Sequence, residues 1–177
     1  MKTSLVSGLL HGTVLGLLMV GAGAQGGQAP PGPNSTAAGG GCAVLPQLLV
    51  EQIIGVKFHE VEASKAMPAH DGAWGSSCGY SRMEPFPQGQ DTLVDLMIFT
   101  ESSASVAKAT FDKAAAFMVD SSKPKPAIGD EAYWGQANSD EPTIHVLKGR
   151  THFQLSMMAP ADEKKVESLA AALAGRL

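Results

Sequence analysis

The sequence predicts an α+β fold, a mainly antiparallel sheet with helices packed against it and a C-terminal helix closing the chain. Three observations predict it. Six short segments carry strand-like patterns, and three others place apolar residues at helical spacing. The resulting order is helix, three strands, helix, three strands, helix. The last two strands face each other across Gly149-Arg150 as a hairpin. The order reads as two αβββ units plus a terminal helix. Few identical residues align between the halves, so independent elements in this order are the alternative.

The first helix is expected over 46–54. Pro46 suits the first helical position, Leu45, Leu48, Leu49 and Ile53 share a face, and Gly55 stops it. Val56–Glu62 alternates apolar and polar residues, the pattern of a half-buried strand. A loop rich in Pro, Gly, Asp and Ser follows, and Ser77–Arg82, with Cys78 and Tyr80, reads as the second strand. Glu84–Gln90 holds two prolines and a glycine and reads as a turn or loop.

Thr92–Thr100 is the strongest strand pattern. Val94, Leu96 and Ile98 form one face and Leu93, Met97 and Phe99 the other, which predicts a central strand covered on both sides. Ser102 or Ser103 caps the next helix, whose apolar positions are Val106, Ala107, Phe111, Ala114, Phe117 and Met118. Lys123–Pro126 is an extended linker, and Glu131–Gly135 a strand.

Pairing Lys148 with Thr151 in the hairpin puts Ile144, Val146, Phe153 and Leu155 on one face, expected in the core. His145, Leu147, His152 and Gln154 fall on the other, expected largely in solvent. Asp162–Ala174 is the last helix, with Val166, Leu169, Ala170 and Leu173 inward.

Residues 1–24 read as a cleavable secretory signal peptide: Lys2, an apolar block over 5–20, then Ala22-Gly23-Ala24 before a cut at Gln25. The block is short for a membrane span, which takes about 20 residues, and no basic cluster follows it. No stable membrane anchor is therefore expected after cleavage, and the location is periplasmic or secreted. Residues 25–41, all Gly, Pro, Ala and small polar types, read as a flexible linker. Asn34-Ser35-Thr36 fits a glycosylation triplet, relevant only to a eukaryotic pathway. One α+β domain is expected over 42–177.

The whole chain carries 13 Lys and Arg against 17 Asp and Glu, with no basic patch. That composition argues against nucleic acid as a partner. Cys42 and Cys78 are an even pair in an exported chain, best read as a disulfide; the loop of about 35 residues it closes is worth about 3–4 kcal/mol. Their separation lacks the C-x-x-C spacing of metal-ligand or redox pairs.

A cysteine ahead of a short Gly-terminated helix, Cys78-Gly79-Tyr80 in a strand, Ile128-Gly129-Asp130-Glu131-Ala132-Tyr133-Trp134, and Val146-Leu147-Lys148-Gly149 together span roughly 42–174. In these short motifs the chain resembles small exported bacterial envelope proteins and lipoproteins of unknown function, some likened to the PsbP-like α/β/α sandwich. The resemblance implies a fold and an envelope location and carries over no catalytic residue. No lipidation cysteine adjoins the apolar block, so anchoring is not implied.

Few constellations carry chemistry. Asp130-Glu131 is a carboxylate pair, but adjacent strand residues diverge, so a solvated turn is the simpler reading. His145 and His152 are diagonal neighbours on the hairpin; two ligands do not make a metal site, and Gln154 is a poor third. His59 and His70-Asp71 add no ligand spacing. No G-x-S-x-G elbow, S-x-x-K motif or phosphate loop is present. Met83, Met97, Met118, Met157 and Met158 read as core filler. Tyr80 and Tyr133 read as core residues with hydroxyls at the rim, and Trp74 and Trp134 as possible contacts for a ligand or partner.

The expectation is an exported, non-catalytic protein that binds a small molecule or an envelope protein, with no catalytic residue, metal or cofactor. One alternative is a periplasmic hydrolase using Asp130 or Glu131 with a histidine. Another is a structural or chaperone-like envelope protein.

Overall fold

The computed structural model describes residues 40–83, 93–135, 141–158 and 162–177. The leader, most of the linker and the turn expected at Glu84–Gln90 lie outside the described residues. Helix α1 is Gly41–Val44 and α2 is Gln47–Ile54. Strands β1 (Phe58–Ala63), β2 (Met67–Pro68), β3 (Trp74–Arg82) and β4 (Leu93–Thr100) follow, with a 3-10 turn at His70–Gly72 ahead of β3. Helix α3 (Ala104–Met118) leads to β5 (Glu131–Trp134), β6 (Thr143–Lys148) and β7 (Thr151–Met157), and α4 (Glu163–Ala174) ends the chain. Among the described residues no helix is long and apolar enough to cross a membrane.

The strands form one antiparallel sheet in the order β1-β3-β4-β7-β6-β5, with β2 paired beside the start of β3. Two meanders, β1-β3-β4 and β5-β6-β7, thus meet along the third strand of each. The strands repeat the αβββ plan, but the helices do not. Helices α2 and α4 pack on one face of the sheet, where Val50, Ile54, Val166, Leu169 and Leu173 join Leu96, Ile98, Val146, Phe153 and Leu155 in the main core. Helix α3 lies on the other face, with Ala107 and Phe111 on Tyr133 and Leu147.

The hairpin register is as expected: Lys148 pairs with Thr151, and Ile144, Val146, Phe153 and Leu155 are buried. Its second face is not left to solvent. Helix α3 covers part of it, so His145 and Leu147 are buried and His152 and Gln154 half-buried. The cover is narrow, because only Ala107 and Phe111 of α3 are buried while Phe117 and Met118 are exposed. That face of β4 is consequently covered less than its pattern predicts, with Met97 exposed and Leu93, Asp95 and Phe99 half-buried. Met83, Met118 and Met158 are exposed as well, and of the five methionines read as core filler only Met157 is buried.

Capping residues act locally as expected. The Ser103 hydroxyl accepts the Val106 amide, and the Asp162 carboxylate accepts the amides of Lys164 and Lys165. Gly55 ends α2 in the left-handed region at φ 84°. The end of the linker is structural: Gly40 and Gly41 are buried, and a Cβ on Gly41 would lie 2.8 Å from the Ser77 carbonyl carbon. Glycine there lets α1 press against β3, beside the Cys42–Cys78 disulfide.

Glu51 ties α2 to β1. Its buried carboxylate accepts from the Gln47 side chain (3.0 Å), the Lys57 ammonium (2.7 Å) and the Phe58 amide (3.1 Å). The Gln47 and Lys57 hydrogen bonds, followed by that from Phe58, hold its pKa down from 4.5 to about 2. A depressed carboxylate pKa gives stability that is present above the unfolded-state value and is lost as pH falls through the folded value. The stability difference between wild type and Glu51→Gln is therefore expected to shrink as pH is lowered from about 5 towards 2. Paired urea melts along that range measure it; a difference independent of pH would show that the carboxylate charge contributes nothing.

Candidate functional site

At the end of β4 the chain leaves the sheet through Glu101, whose amide donates to the Arg150 carbonyl at 2.9 Å, tying it to the hairpin turn. By strand alternation Glu101 follows Met97 and Phe99 on the α3 side of the sheet. His152 of β7 is paired directly opposite Phe99 on that face. Its Nε2 lies 3.1 Å from Glu101 Oε1. The 3-10 turn before β3 brings in a third group, His70, whose Nε2 is 3.5 Å from the same oxygen. Two imidazoles 82 positions apart in the chain thus converge on one carboxylate oxygen.

The burial of the three is graded. The Glu101 side chain is 1% exposed, His152 16% and His70 46%. A carboxylate removed from water is costly unless it is paired, and here its partners are imidazoles. Phe99 holds both rings: it stacks on His152 at 5.2 Å and meets His70 edge-on at 5.7 Å. Gly75, opposite Phe99 on β3, makes room for it, since a Cβ there would lie 3.0 Å from the phenyl ring. Burial lowers the His152 pKa below the ordinary histidine value; the Glu101 hydrogen bond and charge oppose this, and His70 adds to it.

The other expected residues fall elsewhere. Cys42 and Cys78 form the disulfide. Trp134 is 5% exposed in the main core, under the Lys123 ammonium, which leaves little of the indole for a ligand. Trp74 is half-buried at the start of β3, paired with Pro68 and Thr100. Asp130 is spent on the hairpin turn, accepting from the Gly149 amide and Lys148, and Glu131 pairs with Lys108 and Lys125. No hydrogen bond or ion pair joins a histidine to either carboxylate among the described residues. His145 and His152 are diagonal neighbours as the register required. His145, however, is buried and stacked on Tyr133 at 4.7 Å, and burial pushes its pKa down to about 4. Both tyrosines are core, and their hydroxyls are buried with them rather than placed at the rim; Tyr80 donates to the Leu45 carbonyl at 2.7 Å.

Sequence reasoning missed Glu101 entirely and set His70 aside. No local spacing joins them to His152, and Glu101 sits where a polar helix leader is unremarked. The available signal was the β4–β7 pairing, which sets His152 beside Phe99 and Glu101.

A cleft of about 370 Å³ lies on the less covered half of the same sheet face, lined by Ser77, Asp95, Met97, Glu141, Gln154 and Ser156 among others. Burial, and then Glu141 and Glu62, raise the Asp95 pKa. The imidazoles of His70 and His152 do not line it. No family model matches this chain, and neither a curated protein nor a solved structure does.

Proposed function

We propose that this chain is an exported, non-catalytic binding domain whose ligand is held at the centre formed by His70, Glu101 and His152. The observation that carries the reading is the convergence of both Nε2 atoms on one buried carboxylate oxygen while His70 stays accessible. A site that binds needs donors fixed in advance and a way in. Here Glu101 and His152 are fixed by the sheet, and His70 faces solvent. The case for export is the leader-like segment over 1–24 together with the disulfide, which persists in oxidising compartments. The resemblance to small envelope proteins points the same way.

The test is a thermal-shift screen of envelope metabolites, glycans and metal ions on protein recovered from the export route, whose intact mass should begin at Gln25. A ligand at one hundred times its Kd stabilises the native state by about 2.7 kcal/mol, enough to raise Tm visibly. The shift should vanish in His70→Ala. A screen in which no shift depends on His70, Glu101 or His152 overturns the reading. Turnover of a substrate, lost in folded Asp130→Asn or Glu131→Gln, would replace it with the hydrolase alternative.

A further inference from the structure

We propose that His70, Glu101 and His152 form a binding site for a divalent transition-metal ion of the zinc class, with His70 as the ligand that closes onto it. This rests on the reading of the cluster as a binding centre and names its ligand. Zinc is held by imidazole nitrogen at about 2.0–2.1 Å and by carboxylate oxygen at about 2.0–2.2 Å. For a tetrahedral ion those lengths place any two donor atoms about 3.3 Å apart. The two separations from Glu101 Oε1, 3.1 Å to His152 and 3.5 Å to His70, bracket that edge. All three donor atoms lie within 4.8 Å of one another. Two edges of the donor triangle are therefore already at ligating length.

Closing the third edge falls to His70. It is the most exposed of the three and sits on a 3-10 turn outside the main strands, so a change of its rotamer disturbs no core packing. Glu101 and His152 need not move: one is tied to the Arg150 carbonyl, the other is stacked on Phe99. The apolar Phe99 ring packs against both imidazoles and helps set their orientation, as a supporting shell does.

Donor chemistry sets the class of ion. Two nitrogens and one oxygen suit zinc and its first-row neighbours, whereas calcium takes six to eight oxygens and magnesium a mostly oxygen octahedron. Three protein ligands leave at least one position for water or for a group carried by a partner. Another close grouping of candidate donors among the described residues, Cys42, Glu60 and Cys78, is not a rival, because both sulfurs are in the disulfide.

The experiment is isothermal titration of ZnCl2 and, separately, MgCl2 and CaCl2 into the disulfide-bonded protein, prepared without a histidine tag. One zinc per chain is expected, with no heat from magnesium or calcium. His70→Ala and Glu101→Gln should each weaken zinc at least about tenfold, since even loss of an outer partner of a metal ligand costs about 10- to 100-fold. His59→Ala, at an exposed position on β1, should leave it unchanged. His70→Ala removes an exposed side chain and keeps the test interpretable should Glu101→Gln fold poorly; circular dichroism checks both. No zinc binding, or zinc binding indifferent to His70→Ala, overturns the metal site. If another ligand from the thermal-shift screen still depends on these residues, the binding centre survives with a different occupant; if none does, both proposals fail.

Discussion

Phe153→Ala is expected to lower stability by about 3–5 kcal/mol, the range for truncating a fully buried aromatic. Phe153 is 1% exposed in the middle of β7, the strand that joins the two meanders. It is paired with Ile98 on one side and Val146 on the other, and both are fully buried. Its neighbours in the close-packed core, Leu169 and Leu173 of α4 among them, relax only partially into the space of a phenyl ring, so the cost of a cavity adds to the lost transfer energy. Denaturant unfolding with an unchanged m-value measures it. Met97→Ala, on the less covered face of β4 and 47% exposed, is the control and should stay within about 0.5 kcal/mol. A Phe153→Ala loss no larger than the control's would mean that the sheet does not bury this face.

Removing the disulfide by Cys42→Ala together with Cys78→Ala should cost about 2–5 kcal/mol. The bridge spans a sequence separation of 36, for which restriction of the unfolded chain alone gives about 4 kcal/mol. The native side adds a local consequence. Helix α1 has only four residues, too short to be stable by itself, and it is held by the Gly41 approach to β3 and by the bridge. The loss of stability on adding reductant to the wild type should match that of the double variant. Fraying is expected to start at α1 and reach α2 through the Leu45 carbonyl, which loses its place over Tyr80. Equal unfolding midpoints for oxidised and reduced protein would refute the stabilising role, and free thiols in the unreduced protein would refute the bond.

A histidine on a solvent-facing side of the hairpin would cost little to remove, but His152 is not placed that way. It is half-buried and partners a carboxylate that is almost wholly buried. Its removal leaves Glu101 with the exposed His70 as its remaining imidazole partner, and an incompletely paired buried charge is expensive.

What the sequence by itself determined was whatever depends on neighbours in the chain. Alternation fixed the two faces of β4, β6 and β7, and the short turn at Gly149-Arg150 fixed the hairpin register. Helical spacing and the residues Ser103, Asp162 and Gly55 marked helix ends within a residue or two. An even cysteine pair gave the disulfide.

Alternation separates two faces without saying what lies over each. That was decided by where α3 crosses the sheet, and it is why His145 and Leu147 are buried while Met97 is exposed. The same limit governs the candidate site. Glu101, His152 and His70 come from a strand end, a strand start and a turn far apart in the chain. They meet only because β4 pairs with β7 and β3 with β4, which sets Phe99 between Gly75 and His152 and gathers both histidines around one carboxylate. Local sequence carries the period of a strand; the partner of that strand is chosen by the packing of the whole core, and the site follows from that choice.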